Sequence, residues 1–362
     1  MIILGSTGSI GKNSVILAKK HGIKVKALAC EKNYTELNRQ IKELNPKFVY
    51  IKDPSLKNLV DHGNVFTSND SIDTFLKAIS DEFDSTSCIL INALVGFSGL
   101  KPSIVAQGLG FKLCLANKES LVTGGKFLDT KSIEPIDSEH FGLKFLLKNR
   151  PKIQKLIITA SGGAFYKFPL KSLSSVTPEM ALNHPNWNMG SKITIDSATM
   201  ANKLFEVLEA YHIYSVKNID ALIERTSVVH ALINFYDGST TAHISKTDMK
   251  LAIAHAIGLG GEQTLECVDL LGLKSIKFKE INLKKYPIFS LKNDVLNNPD
   301  LGVIINAANE EMVYKFLGGQ CGFLDIAGAI FKALDKFGSP RVDDIEGVFE
   351  IDKKVREFCK GF

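Results

Sequence analysis

The run I-I-L-G-S-T-G-S-I-G-K-N-S-V-I-L-A-K-K, residues 2–20, decides the fold. An apolar segment at 2–4 reads as a buried strand, and it runs straight into a turn with glycines at positions 5, 8 and 11. A helix follows through Lys20. Glycines at such a turn let backbone approach a pyrophosphate, and the helix N-terminus supplies N–H groups and the positive end of its dipole. The spacing is G-x-x-G-x-x-G rather than the commoner G-x-G-x-x-G, and a tight strand-to-helix turn also exists without a ligand. Its place immediately after a first strand favours dinucleotide binding. Gly5, Ser6, Thr7, Gly8, Ser9 and Ile10 are then the candidate contacts.

Outward from this turn, short apolar runs at 25–30, 48–51, 88–93 and 112–116 alternate with helical stretches. That alternation predicts a parallel, doubly wound sheet of the Rossmann-like α/β class. In such folds the adenosine ribose is read at the end of the second strand, about 20 residues past the last glycine. Glu31, Lys32 and Asn33 stand there. Glu31 suits the 2′-hydroxyl of NAD and Lys32 the 2′-phosphate of NADP, so the residues leave the choice open. The fifth strand closes on Leu115-Ala116-Asn117-Lys118-Glu119, at the carboxyl edge where these sheets bind ligands. Lys118 is placed for a substrate, although a lysine at a helix start is equally at home in solvent.

Three further segments carry chemistry. In P-I-D-S-E-H, residues 135–140, Asp137 and Glu139 are two apart and face one side of an extended chain. Two carboxylates facing one way repel, and either solvent or a bound cation relieves them. Hard oxygen ligands without cysteine favour Mg²⁺ or Mn²⁺. Ser161-Gly162-Gly163, after an apolar strand at 156–159, presents a hydroxyl and backbone N–H groups that suit a phosphate or simply close a turn. The stretch from His184 to Glu206 combines anion-binding side chains, Ser197, Asn202 and Lys203, with the carboxylate of Glu206. A helix puts Asn202, Lys203 and Glu206 on one face. Pro185, Trp187, Met189 and Gly190 precede it as a loop that reads as a lid, anchored by the chain's single tryptophan. His184 either serves that site or hydrogen-bonds within the loop.

Composition narrows the function class. The 362 residues suffice for two or three domains. Hydrophobic residues make up 45%, and no apolar run reaches the ~20 residues of a spanning helix, so a soluble protein off the membrane is expected. A strand starting at Ile2 leaves no room for a secretory signal, making the cytoplasm the expected location. Cys30, Cys88, Cys114, Cys267, Cys321 and Cys359 are scattered without zinc spacing and read as reduced, mostly buried thiols. A net charge of +5 with dispersed lysines lacks the basic stripe of a nucleic-acid groove.

Seven motifs in order, G-S-T-G-S-I-G, L-A-N-K-E-S-L-V, P-I-D-S-E-H, S-G-G-A-F, H-P-N-W-N-M-G, D-S-A-T-M-A-N-K and I-N-A-A-N-E, closely resemble those of the 1-deoxy-D-xylulose 5-phosphate reductoisomerases. The resemblance covers nearly the whole chain. It implies an NADPH-dependent enzyme of isoprenoid synthesis that rearranges a phosphorylated sugar by retro-aldol and aldol steps and reduces the aldehyde to 2-C-methyl-D-erythritol 4-phosphate. It also implies that Asp137, Glu139 and Glu206 hold the divalent metal, Mg²⁺ or Mn²⁺ with Co²⁺ a third candidate. Lys118, Ser138 and Glu139 would meet the substrate, and Ser161, His184, Ser197, Asn202 and Lys203 its phosphate. Trp187 and Met189 would belong to a flap at 184–192. The NADPH contacts at 5–10 would be joined by Lys32, Asn33, Asn117, Glu119 and Gly190. A homodimer is implied, with an NADPH-binding domain at 1–137, a catalytic α+β domain at 138–262, a linker at 263–290 and a helical bundle at 291–362. The chain departs from the family's pattern at Glu224-Arg225-Thr226-Ser227, where His-Pro-Gln-Ser is usual, at Ser191, commonly basic, and at Glu31, commonly glycine.

The last segment reads as helical in its own right. Asn298-Pro299-Asp300 makes a cap with proline at the first helical position, and Phe323, Ile326, Ile330, Leu334 and Phe337 form a core-facing stripe that Ile345, Val348, Phe349 and Val355 repeat. Two other functions fit these residues less well. A semialdehyde dehydrogenase needs a nucleophilic cysteine in a glycine- or asparagine-rich turn, whereas the six here are expected to be reduced, mostly buried thiols. A non-catalytic nucleotide sensor has no use for the three carboxylates, which this chain carries.

Overall fold

Strand β1 (Ile2–Leu4) is buried along its length, as expected of a parallel strand covered on both faces. The computed structural model describes residues 1–147, 152–184, 186–187, 189–273 and 275–362. The chain divides into two units. The first comprises Met1–Ser120, Leu128–Asp137 and Asp248–Leu265, the second Leu121–Phe127, Ser138–Thr247 and Glu266–Phe362.

In the first unit, β1 is joined by β2 (Ala27–Cys30), β3 (Phe48–Ile51), β4 (Val65–Phe66), β5 (Ile89–Asn92), β6 (Lys112–Leu115) and β7 (Glu134–Pro135). All are parallel, in the order β4-β3-β2-β1-β5-β6-β7. This is the expected doubly wound sheet. The expected strands at 25–30, 88–93 and 112–116 are trimmed by one to two residues at their ends. Two-residue strands such as β4 and β7 are too short to show a period in the sequence. The strand order reverses between β1 and β5, and Gly5 follows β1 at that reversal, where open α/β sheets bind ligands. Gly5 has φ +80°, and a Cβ there would overlap the Ala93 carbonyl just past β5. A Cβ on Gly11 would overlap the Gly5 carbonyl and the Ser6 backbone. These two positions of the motif are therefore glycine for steric reasons.

The second unit holds a mixed sheet of β8 (Ile153–Ala160), β9 (Ile219–Glu224), β10 (Val229–Phe235), β11 (Thr240–Ile244) and β12 (Phe278–Lys279), ordered β11-β10-β8-β9-β12. Only β8 and β9 run parallel. The helices Leu301–Leu317, Phe323–Phe337 and Ile345–Cys359 pack Ile304, Ile305, Ile326, Ile330 and Val355 into one core with Leu156 and Ile158 of β8 and Phe205 and Leu208. The C-terminal helices share the core of the second sheet, and helix Lys250–Ala256 sends Ile253 and Ala254 into the core of the first.

The expected cap at 298–300 is corrected in one respect. The helix starts at Leu301 with Asp300 as its N-cap, so Pro299 lies before the cap rather than at the first helical position. The Asp300 carboxylate instead accepts from Lys126 Nζ at 2.6 and 2.8 Å and from the Val342 N–H at 3.0 Å. Among the described residues no helix is long and apolar enough to cross a membrane. None of the six cysteines forms a disulfide among the described residues; Cys30, Cys88, Cys114 and Cys359 are buried, Cys321 half-buried and Cys267 exposed.

Candidate active site

Helix Ser9–Lys20 begins at Gly8 with no side-chain cap among the described residues and no acidic residue in its first turn, an N-terminus that suits an anion. The turn ahead of it is fixed by the Gly5 and Ser6 N–H groups, which both donate to the Ala29 carbonyl at 2.9 Å. Ser6 is fully buried and its Oγ has no partner among the described residues. Uncapped helix, required glycines and orphan hydroxyl together fit a dinucleotide pyrophosphate. At the end of β2, Glu31 faces Lys52 at 3.7 Å, Asn33 Oδ1 caps the helix Tyr34–Leu44 through the Glu36 N–H, and exposed Lys32 forms no ion pair among the described residues.

Asn117 follows β6 and is almost fully buried. Its Nδ2 donates to the carbonyls of Leu94 and Gly96 at 2.9 and 2.8 Å and to Glu119 Oε2 at 3.2 Å, and its Oδ1 accepts from the Ser120 N–H and hydroxyl. Those bonds hold the loop after β5 rather than leaving the amide for a ligand. Lys118, also buried, places Nζ 3.0 Å from Asp137 Oδ2.

The carboxylates sit where strand gives way to helix. The Asp137-Ser138-Glu139 segment is not extended as expected, because helix Ser138–Leu146 starts immediately after Asp137. Ser138 Oγ donates to Glu139 Oε2. Helix Ala201–Tyr214 carries the rest: Lys203 Nζ lies 3.2 Å from Glu139 Oε1 and is hydrogen-bonded to Glu206 Oε2, while Asn202 Nδ2 donates to Glu206 Oε1. Buried Glu206 thereby gains the pairing that a carboxylate out of water requires. Asp137, Glu139 and Glu206 each offer an oxygen, and the three oxygens lie within 4.8 Å of one another. An all-oxygen donor set of this size fits a hard divalent cation.

Ser197 does not share that helix. Met200, at φ +67°, separates Ser191–Thr199 from Ala201–Tyr214. Ser191–Thr199 is pinned by Asp196, which pairs with Lys192 at 2.8 Å and accepts from Asn309 Nδ2 at 2.7 Å, giving the I-N-A-A-N-E motif a structural role. Ser197 Oγ then lies 3.3 Å from His184 Nε2, and Ser161 Oγ 2.9 Å from the same nitrogen. His184 Nδ1 accepts the N–H groups of Asn186 and Trp187 at 3.2 and 3.0 Å, so in the neutral ring Nε2 carries the proton. Burial, with the Arg225 charge second, lowers the His184 pKa to about 4. The ring is neutral at physiological pH and donates toward two hydroxyls that flank the positive-φ turn at Gly162 and Gly163.

The loop expected to act as a lid is described at 184, 186–187 and 189–192. Half-buried Trp187 stands edge-on to His230, with ring centroids 6.3 Å apart, and Gly190 is the N-cap of Ser191–Thr199 at φ −62°, a conformation open to any residue. Pro185 lies outside the described residues. Two members of this neighbourhood were missed in the sequence. Arg225 Nη1 donates to the Ser161 carbonyl, and Asn186 Nδ2 donates to the Arg225 carbonyl at 2.9 Å and to Ser227 Oγ at 2.6 Å. A departure from the family's pattern at 224–227 was the one available signal.

Three family models match the chain: 1-deoxy-D-xylulose 5-phosphate reductoisomerase over residues 1–125, the C-terminal domain of that enzyme over 133–214, and the DXP reductoisomerase C-terminal domain over 244–358. The 1-deoxy-D-xylulose 5-phosphate reductoisomerase of Campylobacter fetus subsp. fetus is 72% identical over all of both chains, and that of Campylobacter hominis is 60% identical over 99% of each. Among solved structures, a DOX-P reductoisomerase in complex with NADPH, fosmidomycin and magnesium is 31% identical with a TM-score of 0.90, covering 99% of this chain and 97% of that one. The Zymomonas mobilis enzyme in complex with NADPH is 31% identical with a TM-score of 0.85 over the same shares.

Proposed function

The chain belongs to the 1-deoxy-D-xylulose 5-phosphate reductoisomerase family, and we propose that it converts 1-deoxy-D-xylulose 5-phosphate to 2-C-methyl-D-erythritol 4-phosphate with NADPH and a divalent metal. The observation that carries this reading is the convergence of the Asp137, Glu139 and Glu206 oxygens within 4.8 Å. Those three carboxylates hold the metal, which when bound supplies electrophilic stabilisation for negative charge on the substrate oxygens.

The chain's own groups do the remaining work. Lys118 and Ser138 hold the substrate beside the carboxylates, and the 3.0 Å pairing of Lys118 with Asp137 supports that position. Ser161, neutral His184, Ser197, Asn202 and Lys203 grip the phosphate, which orients the reacting carbons and converts remote binding into rate. Trp187 and its loop close over the site and exclude water. Residues 5–10, with Lys32, Asn33, Asn117, Glu119 and Gly190, bind NADPH. Asn117 acts through the loop it braces, since its amide is already committed. The protein works as a cytoplasmic homodimer, as its resemblance to the family implies.

The direct test is oxidation of NADPH followed at its absorbance band with 1-deoxy-D-xylulose 5-phosphate, with and without Mg²⁺. Turnover that requires both substrate and metal supports the assignment. Absence of turnover under those conditions refutes it.

A further inference from the structure

We propose that Arg225 is a substrate-binding residue of this chain, its guanidinium meeting the phosphate held by Ser161, His184 and Ser197. This rests on the reading of those three residues as the phosphate clamp.

A phosphate monoester brings close to two negative charges at neutral pH. The hydroxyls of Ser161 and Ser197 offer none in return, and neither does His184, whose Nδ1 is spent accepting two backbone N–H groups. Lys203 carries a charge, but its ammonium lies against the carboxylates of both Glu139 and Glu206, which outnumber it. The clamp as built from sequence motifs is thus short of a cation.

Arg225 supplies one in the right place. Its Nη1 donates to the carbonyl of Ser161, the residue whose hydroxyl opens the clamp. Its guanidinium carbon stands 4.4 Å from the Tyr166 ring centroid, a stacking contact that holds the plane of the fork. The side chain is half-buried and forms no ion pair among the described residues. A guanidinium has five N–H donors, so donors remain for a phosphate, whose oxygens match the fork geometry. Burial chiefly, and the Arg225 charge second, lower the His184 pKa, in keeping with a guanidinium bonded to the Ser161 carbonyl beside the imidazole.

The backbone under Arg225 is rigid. The Glu224 carboxylate accepts N–H groups from Thr226, Val228 and Val229 at 2.7, 3.1 and 3.3 Å. Asn186 ties the Arg225 carbonyl to the lid loop, and the Tyr286 hydroxyl holds the Gly162 carbonyl at 2.8 Å on the other side.

The test uses the full-length enzyme with saturating NADPH and Mg²⁺. Arg225→Gln should raise KM for 1-deoxy-D-xylulose 5-phosphate about ten- to hundredfold, the range of a lost charge-assisted contact, and weaken competitive inhibition by inorganic phosphate in proportion. KM for NADPH should stay unchanged. Arg225→Lys should recover part of the loss, and added guanidinium ion should lower KM in Arg225→Ala, which a purely structural role does not predict. Ser161→Ala is measured alongside. If Ser161→Ala raises KM while Arg225→Gln leaves it alone, Arg225 is not a phosphate ligand and the clamp stands. If neither moves KM or phosphate inhibition, the clamp reading fails together with the proposal. Equal loss in Arg225→Gln and Arg225→Lys with a lowered melting temperature and no guanidinium rescue also overturns it.

Discussion

The Lys203 ammonium lies 3.2 Å from Glu139 Oε1 across 64 residues of chain, and on its own helix it is bonded to Glu206 as well. One internal cation thus sits against two of the three carboxylates read as metal ligands. Lys118 does the same for Asp137 at 3.0 Å. Each of the three carboxylates is thus paired with a lysine, as charges drawn out of water require.

Glu139→Gln removes one metal oxygen's charge and leaves the Lys203–Glu206 pair in place. Turnover should fall by at least about a hundredfold, in the range seen when transition-state charge loses a preorganised partner. NADPH binding, read from the quenching or enhancement of its fluorescence on titration, should be largely preserved. Metal-dependent turnover equal to the parent's would sink the carboxylate assignment.

How much of this was legible depended on the range of the interaction. Asn202, Lys203 and Glu206 could be grouped from sequence because helical neighbours three and four apart must meet. Gly5 and Gly11 could be read because a strand-to-helix turn has fixed steric needs, which the overlaps with Ala93 and Ser6 bear out. The Asp137–Glu139 spacing pointed to a shared target for the wrong conformational reason, since a helix start and not an extended chain brings them together. The break at Met200 gave no signal, as methionine seldom adopts φ +67° and nothing in its identity announces it. Arg225 stayed hidden for another reason: its partners Ser161 and Asn186 lie 64 and 39 residues away, beyond any periodicity.

His184 makes a pH prediction with a definite sign. Burial first, and the Arg225 charge second, lower its pKa from 6.5 to about 4, so the unfolded chain protonates this ring while the folded protein keeps it neutral. Its contribution to stability is therefore complete above pH 6.5 and is lost as pH falls toward 4. His212, lowered to about 4 chiefly by burial, acts in the same direction. His184→Gln should show a shallower fall of melting temperature between pH 6.5 and 4 than the parent, measured by thermal scanning in matched buffers. Identical slopes in the two proteins would show that His184 titrates normally.

We propose that cofactor choice turns on Lys32. It is exposed and forms no ion pair among the described residues, whereas Glu31 is matched with Lys52 at 3.7 Å. An available cation at the end of β2 favours the 2′-phosphate of NADPH. Lys32→Ala should narrow the ratio of kcat/KM for NADPH over NADH about ten- to hundredfold, corresponding to a charge-assisted hydrogen bond of about 1.5–3 kcal/mol. Equal use of both cofactors by the parent protein would refute the assignment.

The lid, the clamp and the carboxylates can be tested with one ligand. A short chain bearing a phosphonate at one end and a hydroxamate at the other should set the phosphonate against Ser161, Ser197, Asn202 and Lys203 while the hydroxamate chelates a metal held by Asp137, Glu139 and Glu206. Tight binding should then require the metal, and EDTA should abolish it. Trp187 is half-buried, edge-on to His230, and is the only tryptophan in the chain, so its emission isolates movement of the lid loop. Closure over the ligand should bury the indole further and shift its emission to shorter wavelength. Trp187→Ala should weaken the ligand about tenfold or more, since a large aromatic side chain loses its contact area on closure. If the ligand binds equally well in EDTA, the carboxylates do not hold the metal it chelates. If it binds only with metal but Trp187 emission never responds at saturation, the metal site stands and the lid does not close over it.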